Sequence, residues 1–361
     1  MIDLAIRGIG PVGAFGAGVA DWREALAGIR KSNPEREEIE TRHQKTTWPV
    51  FRASTESLNQ RLPARRRRRL DHFSRLALLG AGLALDDAGP TGITGERTAV
   101  IVASAFGPAA TTFAFLDSVI DDGDSCASPT LFSSSVHNSA AARIAMVHQL
   151  SGPNLSLTQF SRSFPMALQT AALWLEEGRA DAVLCGAVDE YCNVMGYCRE
   201  TCTPRKKDFI GPGYDPIHDG PAPAEGSVFF YLTRADTTDT PAYGVIKKTT
   251  LDTPAPKTDL PLVLGLATDT PEKTATLPDH QNRIMIFDHL YGTFPNASAF
   301  DLAALGVMLH DQKLYPGLQF YNGIASSKEY MIPNNAQTVL RIMASYRFFG
   351  NKSVTILLSL I

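Results

Sequence analysis

Two kinds of apolar pattern alternate along this chain: short continuous runs, which read as buried strands, and stretches with apolar residues at helical spacing. Leu4 to Ile9 form an opening strand, and Asp21 to Ala27 a short helix. Residues 30 to 60 are polar and irregular and read as a surface excursion. After Pro63 the positions Leu70, Phe73, Leu76, Ala77, Leu79 and Leu83 mark a helix, which Gly89-Pro90 closes. Arg97 to Ser104 is a buried strand, and Thr111 to Ile120 a helix. Ser128 to Gln149 begins as a loop and becomes a small-residue helix.

The most informative stretch runs from Gly152 to Asp189: a buried strand begun by Leu155 to Leu157, a sharp turn at Gln159 to Ser163, a helix and a second strand. The helix carries Met166, Leu168, Ala172 and Leu175 on one period and ends at Gly178. Ala182 to Val188 supply the following strand. A side chain at such a strand-to-helix corner projects from the top of the sheet, beside the orphan amides of the helix N-terminus. Here that residue is Ser161. Further strands are expected from Ser227, at Tyr243 to Lys247, at Leu262 to Leu266 and at Lys352 to Ile361, with a helix at Ala297 to Leu309. The Thr-, Pro- and Asp-rich residues 235 to 260 suggest a boundary that divides the chain into residues 1–240 and 241–361. This alternation predicts an α/β fold whose sheet is covered on both faces.

Composition narrows the function classes. With 361 residues, 44% hydrophobic and 20% charged, the chain has the make-up of an ordinary soluble globular protein. A net charge of −3 gives no case for nucleic acid as a partner, and no apolar run approaches a membrane span. The first residues read as a strand and a Gly-rich turn, not a signal peptide. Five cysteines without a framework suggest reduced thiols and a cytoplasmic location. Cys192, Cys198 and Cys202 cluster, but their spacing lacks a CxxC pair and no histidine is near, so no metal is expected. The densest charge is Arg65 to Arg69, which reads either as a solvated helix start or as a docking patch for an acidic partner.

Several segments together resemble the β-ketoacyl synthases of the thiolase-like superfamily over nearly the whole chain. They are DHFSRLALLGAGLALDDAG, SPTLFSSSVHNSAAARIA, GPNLSLTQ, GRADAVLCGAVDE, YDPIHDGPAPAEGS, the NASAFDLAAL helix and FFGNKSVTILL. The resemblance implies two similar halves in an αβαβα sandwich, a dimer, acyl carrier protein as bearer of the substrates, and no cofactor. It also implies a cysteine that takes the acyl chain and two histidines that support decarboxylation and the oxyanion. Counting from Gly152-Pro153 forwards and from Gly178 backwards places the cysteine position at Ser161. The histidine positions fall at Leu266 and Thr293, and the family lysine at Asp288. The condensation apparatus is therefore expected to be absent.

A serine at the corner needs a base. His137 and His289 are the nearest histidines in sequence, each readable as a base or as a local structural hydrogen bond. Phe160 stands where the family has a small residue, to crowd the pocket or pack in the core, and Phe348 falls at the family's gating aromatic position. The family precedent for lost chemistry is the chain length factor, a degenerate subunit that pairs with a catalytic ketosynthase and limits its acyl tunnel. In that precedent glutamine usually replaces the cysteine, and here Gln159 stands two positions away. The resemblance then assigns Thr112, Phe113, Phe115, Leu116 and Phe132 to the tunnel and interface, or equally to ordinary interface core. Two rivals follow: a serine-dependent acyltransferase or thioesterase using Ser161, and a homodimeric protein that binds an acyl chain or carrier protein.

Overall fold

A computed structural model describes residues 2–121, 123–202, 209, 214, 222–235, 243–252, 261–265, 284–317, 319–321, 324–326, 341–349 and 352–360. Strand β1 (Leu4–Gly13) and the short β2 (Gly16–Ala17) lead to α1 (Val19–Leu26). A hairpin of β3 (Glu35–Glu40) and β4 (Lys45–Val50) follows, then α2 (Leu58–Arg61), α3 (Ala64–Arg67) and α4 (His72–Ala88). Next come β5 (Thr98–Ser104), α5 (Ala109–Ile120), α6 (Pro129–Ser135), α7 (Ser139–His148) and β6 (Asn154–Thr158). The chain continues through α8 (Ser163–Glu176), β7 (Ala182–Asp189), α9 (Asn193–Cys202), β8 (Gly226–Arg234), β9 (Val245–Leu251) and β10 (Leu262–Gly265). The remainder is β11 (Ile284–Met285), α10 (Asp288–Tyr291), α11 (Ser298–Asp311), the pair β12 (Gln319–Tyr321) and β13 (Ile324–Ser326), and the hairpin β14 (Ile342–Phe349) and β15 (Lys352–Ser359).

Among the described residues one sheet runs β11-β10-β14-β15-β9-β1-β8-β7-β5-β6, with β2 attached to β1. Among the described residues the strands of residues 1–240 join those of residues 241–361 where Leu4 and Ala5 pair with Ile246 and Val245, and an isolated bridge links Pro223 to Thr293. Strand β5 shows why its sequence is apolar throughout. Val100 and Val102 face a core built with α4 and α7, while Ile101 and Ala103 face another built with α8 and α11. Helix α11 is buried along almost its whole length, because it lies between the strands of the two halves and so has no polar face. The layers α4/α7, sheet, α8/α11 and sheet form the layered α/β arrangement expected of a thiolase-like fold. Helix α4 lies very close to β1: a Cβ on Gly10 would stand 2.0 Å from the carbonyl oxygen of Gly80.

Three expectations need correction. Residues 30 to 60 are not irregular, since they hold the β3–β4 hairpin, whose Ile39, Trp48 and Val50 pack on Tyr191. Its charged residues hid the period-two alternation, a pattern tolerated because both strands are edges. The segment after Ser128 is helical at once, with the Ser128 hydroxyl capping α6 and Pro129 at its first turn. Strand β6 is not buried: it is the last strand of the sheet and is half-exposed along its length. The 240/241 division falls within residues 236–242, outside the described residues.

Candidate functional site

Between β6 and α8 the chain makes one tight 3₁₀ turn at Phe160–Arg162, with Ser161 at its centre. Phe160 is forced to φ +49°, a left-handed conformation that costs a bulky L-residue about 1–2 kcal/mol. The corner is held from both sides. The Gln159 amide donates to the Ser163 hydroxyl at 2.7 Å, and that hydroxyl donates toward the carbonyls of Phe160 at 2.8 Å and Ser104 at 2.9 Å. The Phe164 amide donates to the Asn296 side-chain carbonyl at 3.1 Å. Asn296 in turn gives its side-chain and backbone N–H groups to Asp189 at 2.9 and 3.2 Å. Asp189 also accepts from the Ser104 hydroxyl at 3.0 Å and the Ala105 amide at 2.7 Å. Burial still pushes its carboxyl up to about 6.

Ser161 opens onto a cavity of about 620 Å³ with apolar walls from Phe106, Phe113, Met195 and Phe294. Thr112, His137, Phe160 and Thr293 line it too. Among the described residues no hydrogen bond or ion pair reaches the Ser161 hydroxyl, so the cavity brings it together with His137 but supplies it no bonded base. The imidazole of His137 packs against Gly107, where a Cβ would stand 2.7 Å from its Cδ2. Phe160 is not core; it is on the cavity lining. It stands 63% exposed, edge to face with Phe106. Phe115, Leu116 and Phe132 lie outside the cavity lining; Phe115 and Phe132 pair with ring centroids 5.4 Å apart, and Leu116 and Phe132 are exposed. Leu266 lies outside the described residues. Phe348 is placed on β14, paired with Ser353, and its side chain lies outside the described residues.

The other expected positions are occupied by structural bonds. Thr293 donates its hydroxyl to the Ala222 carbonyl at 2.9 Å and its amide to the same oxygen at 2.7 Å. Asp288 is fully buried and accepts from Arg347 Nη1 at 2.8 Å. Arg347 also forks onto Asp301, Nε to Oδ2 at 2.7 Å and Nη2 to Oδ1 at 2.9 Å, and donates to the Tyr291 hydroxyl at 2.9 Å. Tyr291 donates onward to Asp301 at 2.6 Å. The guanidinium occupies the space beside Gly265, where a Cβ would lie 2.1 Å from Nε. A buried arginine survives only with such bidentate partners. Sequence reasoning missed it, although an arginine in the apolar closing hairpin was the available signal. Helix α9 was also missed, though Met195 and Cys198 line the cavity.

A second concavity, of about 920 Å³, takes in most of the arginine run. Arg65, Arg66, Arg68 and Arg69 line it with Arg143 from α7, over a floor that includes Leu62, Leu70 and Val147. Met146, also on its lining, is exposed. Arg67 turns away, donating to the Leu62 carbonyl and to Asn59. Five arginines thus share one groove with apolar side chains, and both readings of the run, a solvated helix start and a docking patch, stay open.

The sequence profile described as Beta-ketoacyl synthase, N-terminal domain, matches residues 19–237. No curated protein matches the chain by sequence. Among solved structures, the ishigamide ketosynthase/chain length factor is similar at a TM-score of 0.74 and 16% identity, over 100% of this chain and 99% of that one. A beta-ketoacyl synthase from Burkholderia phymatum STM815 is similar at a TM-score of 0.73 and 15% identity, over 100% of both chains. A type II polyketide synthase acyl carrier protein in complex with its ketosynthase gives a TM-score of 0.69 at 13% identity, over 100% of both chains. At these identities the likeness is one of fold.

Two predictions follow from the bonding around the corner. Glu190, beside Asp189, accepts the Ala110 amide at 2.8 Å, and burial pushes its carboxyl from 4.5 up to about 7. Between those pH values the folded chain holds a proton that the unfolded chain lacks, so stability falls as pH rises through that window and levels off above it. Glu190→Gln keeps the acceptor and loses the titration. Urea unfolding from pH 5 to 8 is expected to lose part of its slope, with the variant more stable at pH 8 by on the order of 2 kcal/mol. Arg347→Met strands two buried aspartates and is expected to cost about 3–5 kcal/mol in the same assay, with Arg347→Lys only a partial rescue.

Proposed function

Because the chain belongs to the β-ketoacyl synthase family, we propose that it is a non-condensing subunit of the chain length factor type. It pairs with a catalytic ketosynthase and shapes that partner's acyl tunnel in polyketide or specialised fatty-acid synthesis. The observation that carries this reading is the use of the histidine and lysine positions, Thr293 and Asp288, for structural bonds to Ala222 and Arg347. A hydroxyl committed to a carbonyl cannot act as an imidazole, and an aspartate locked to a guanidinium inverts the charge of a lysine. Ser161 adds no bonded base among the described residues.

Pairing is supported by the surface around the corner. Among the described residues strand β6 ends the sheet with one edge unpaired, and Phe106, Phe113, Leu116, Ile120 and Phe132 of the loop after β5 and of α5 and α6 are exposed. An open edge with large apolar neighbours is a surface that a protein covers. One similar structure is a ketosynthase/chain length factor, which supports a ketosynthase as the covering partner. The arginine groove suits an acidic carrier protein with an apolar anchor, and another similar structure holds a carrier protein with its ketosynthase. The absence of a helix long and apolar enough to cross a membrane, among the described residues, fits soluble partners in the cytoplasm.

Co-expression with an intact ketosynthase, followed by native mass spectrometry and incubation with acyl-carrier-protein thioesters, tests the reading. The expected result is a heterodimer in which the partner alone gains acyl mass. Replacing Arg66 and Arg68 with glutamate is expected to slow carrier-protein association by roughly tenfold, more at low salt. An acyl adduct on this chain that disappears in Ser161→Ala would establish the serine-dependent transferase instead. A homodimer that ignores the ketosynthase would favour the acyl-chain or carrier-protein binding protein.

A further inference from the structure

Helix α9 buries a glycine and an acid and turns its sulfur atoms to the cavity. Its buried residues are Gly196 and Glu200, one turn apart. Gly196 packs so closely that a Cβ would stand 2.2 Å from the Tyr191 hydroxyl oxygen, and Tyr191 in turn packs on the β3–β4 hairpin. Glu200 accepts from the Trp48 indole N–H and the Gln44 side-chain amide of that hairpin. Arg199 lies over the Trp48 ring, 5.3 Å from its centroid. On the other face Met195, Cys198 and Cys202, spaced by three and four residues, all line the Ser161 cavity.

The two cysteines of this face differ from those of the core. Cys185 and Cys192 are buried, and burial pushes both thiols up, so they stay protonated and inert. Cys198 and Cys202 are exposed. Cys126, also exposed, sits in the turn after α5 and is absent from the cavity lining.

Helix geometry puts Cα atoms four residues apart at about 6 Å, inside the range of about 4.4–6.8 Å that a disulfide spans. The Cβ atoms start about 5–6 Å apart and must approach to about 3.5–4.5 Å, so the turn has to tighten. Cys202 can give way, because it is the last residue of α9, where helical carbonyls run out of donors. The turn that follows Cys198 is pinned to the hairpin through Arg199 and Glu200. Closure therefore draws the end of α9 toward Cys198 along the cavity wall.

We propose that Cys198 and Cys202 are a modification site, a thiol–disulfide pair whose closure stiffens one wall of the Ser161 cavity and weakens its hold on apolar ligands. The oxidant is a low-molecular-weight disulfide. The thiolate of one cysteine attacks a sulfur of that disulfide and expels a thiolate; the second cysteine then displaces the other half. Two cysteine thiols are oxidised, and one disulfide is reduced to two thiols. As free thiols the side chains turn about χ1 to make room for a ligand, and bridged they cannot. The pair rests on α9 and the cavity alone and does not require the chain to pair with a ketosynthase.

Oxidised glutathione is the probe. The full chain is treated with it, alkylated with iodoacetamide and cut with trypsin, which cleaves after Arg199, between the two cysteines. The expected product is one species that joins the peptide ending at Arg199 to the peptide beginning at Glu200, separated again by dithiothreitol. Affinity for the neutral fluorophore N-phenyl-1-naphthylamine is expected to fall at least about threefold on oxidation and to recover on reduction. Cys198→Ser and Cys202→Ser are each expected to keep the reduced affinity and lose its response to oxidation, while Cys126→Ser keeps the response. Absence of the joined species, a bridge to Cys126 or to a second chain, glutathione left on both cysteines, or a bridge that leaves fluorophore affinity unchanged would overturn the proposal. A chain that bridges but pairs with no ketosynthase refutes the subunit reading and leaves the thiol pair standing; one that pairs without bridging does the reverse.

Discussion

The carboxylate of Asp189 is the contact on which the rest of the site depends. It ends β7 inside the protein and collects donors from two separate places, Ser104 and Ala105 after β5, and Asn296 before α11. Asn296 passes the connection to the Phe164 amide in the first turn of α8. One buried acid thus ties together the corner that presents Ser161, the loop that carries Phe106 and the segment that carries Thr293. Burying a carboxylate is unfavourable unless its lone pairs are met, and here four donors meet them. The distance between the halves of the cavity is therefore set by hydrogen bonds that take no part in chemistry.

Arg347 does for the second half what Asp189 does for the first. Its guanidinium joins α10, α11 and β14 through Asp288, Asp301 and Tyr291. Gly265 on the neighbouring strand leaves it room. The acids come from α10 and α11, and the cation comes from the closing hairpin. A cluster of this kind cannot be undone one residue at a time, since either partner alone is a buried charge without compensation. The described part of the second half is thus held by buried ion pairs that owe nothing to chemistry at the cavity.

Much of this was legible in the sequence, and the reasons for the exceptions are physical. Strands β5 and β7 are apolar throughout because both faces meet cores, α4 and α8 announce themselves by spacing and by Gly89 and Gly178 after their ends, and α11 by its apolar run. The corner at Ser161 follows from a strand, a turn and a helix counted from either side. The β3–β4 hairpin was hidden because its outward residues are charged and its inward ones are few. The exposure of β6 was hidden because an edge strand has the same apolar alternation as an interior one. Arg347 was hidden because burial of a charge depends on partners in other elements, Asp288 and Asp301, which spacing does not reveal. The left-handed φ of Phe160 has no sequence signal at all, since aromatic residues rarely adopt it.

The division of labour at the corner separates its frame from the residue at its centre. Its bonds belong to Gln159, Ser163 and Phe164, the residues that flank position 161. The hydroxyl of Ser161 holds nothing in place among the described residues. A change of side chain there alters reactivity and leaves the frame intact, whereas loss of Ser163 or Asn296 would loosen the turn and its links to Ser104 and Asp189 together. In a fold arranged this way the chemistry is the least constrained part of the site. The frame is retained because the shape of the cavity, and of the surface around it, depends on it whether or not a bond is ever made at the corner.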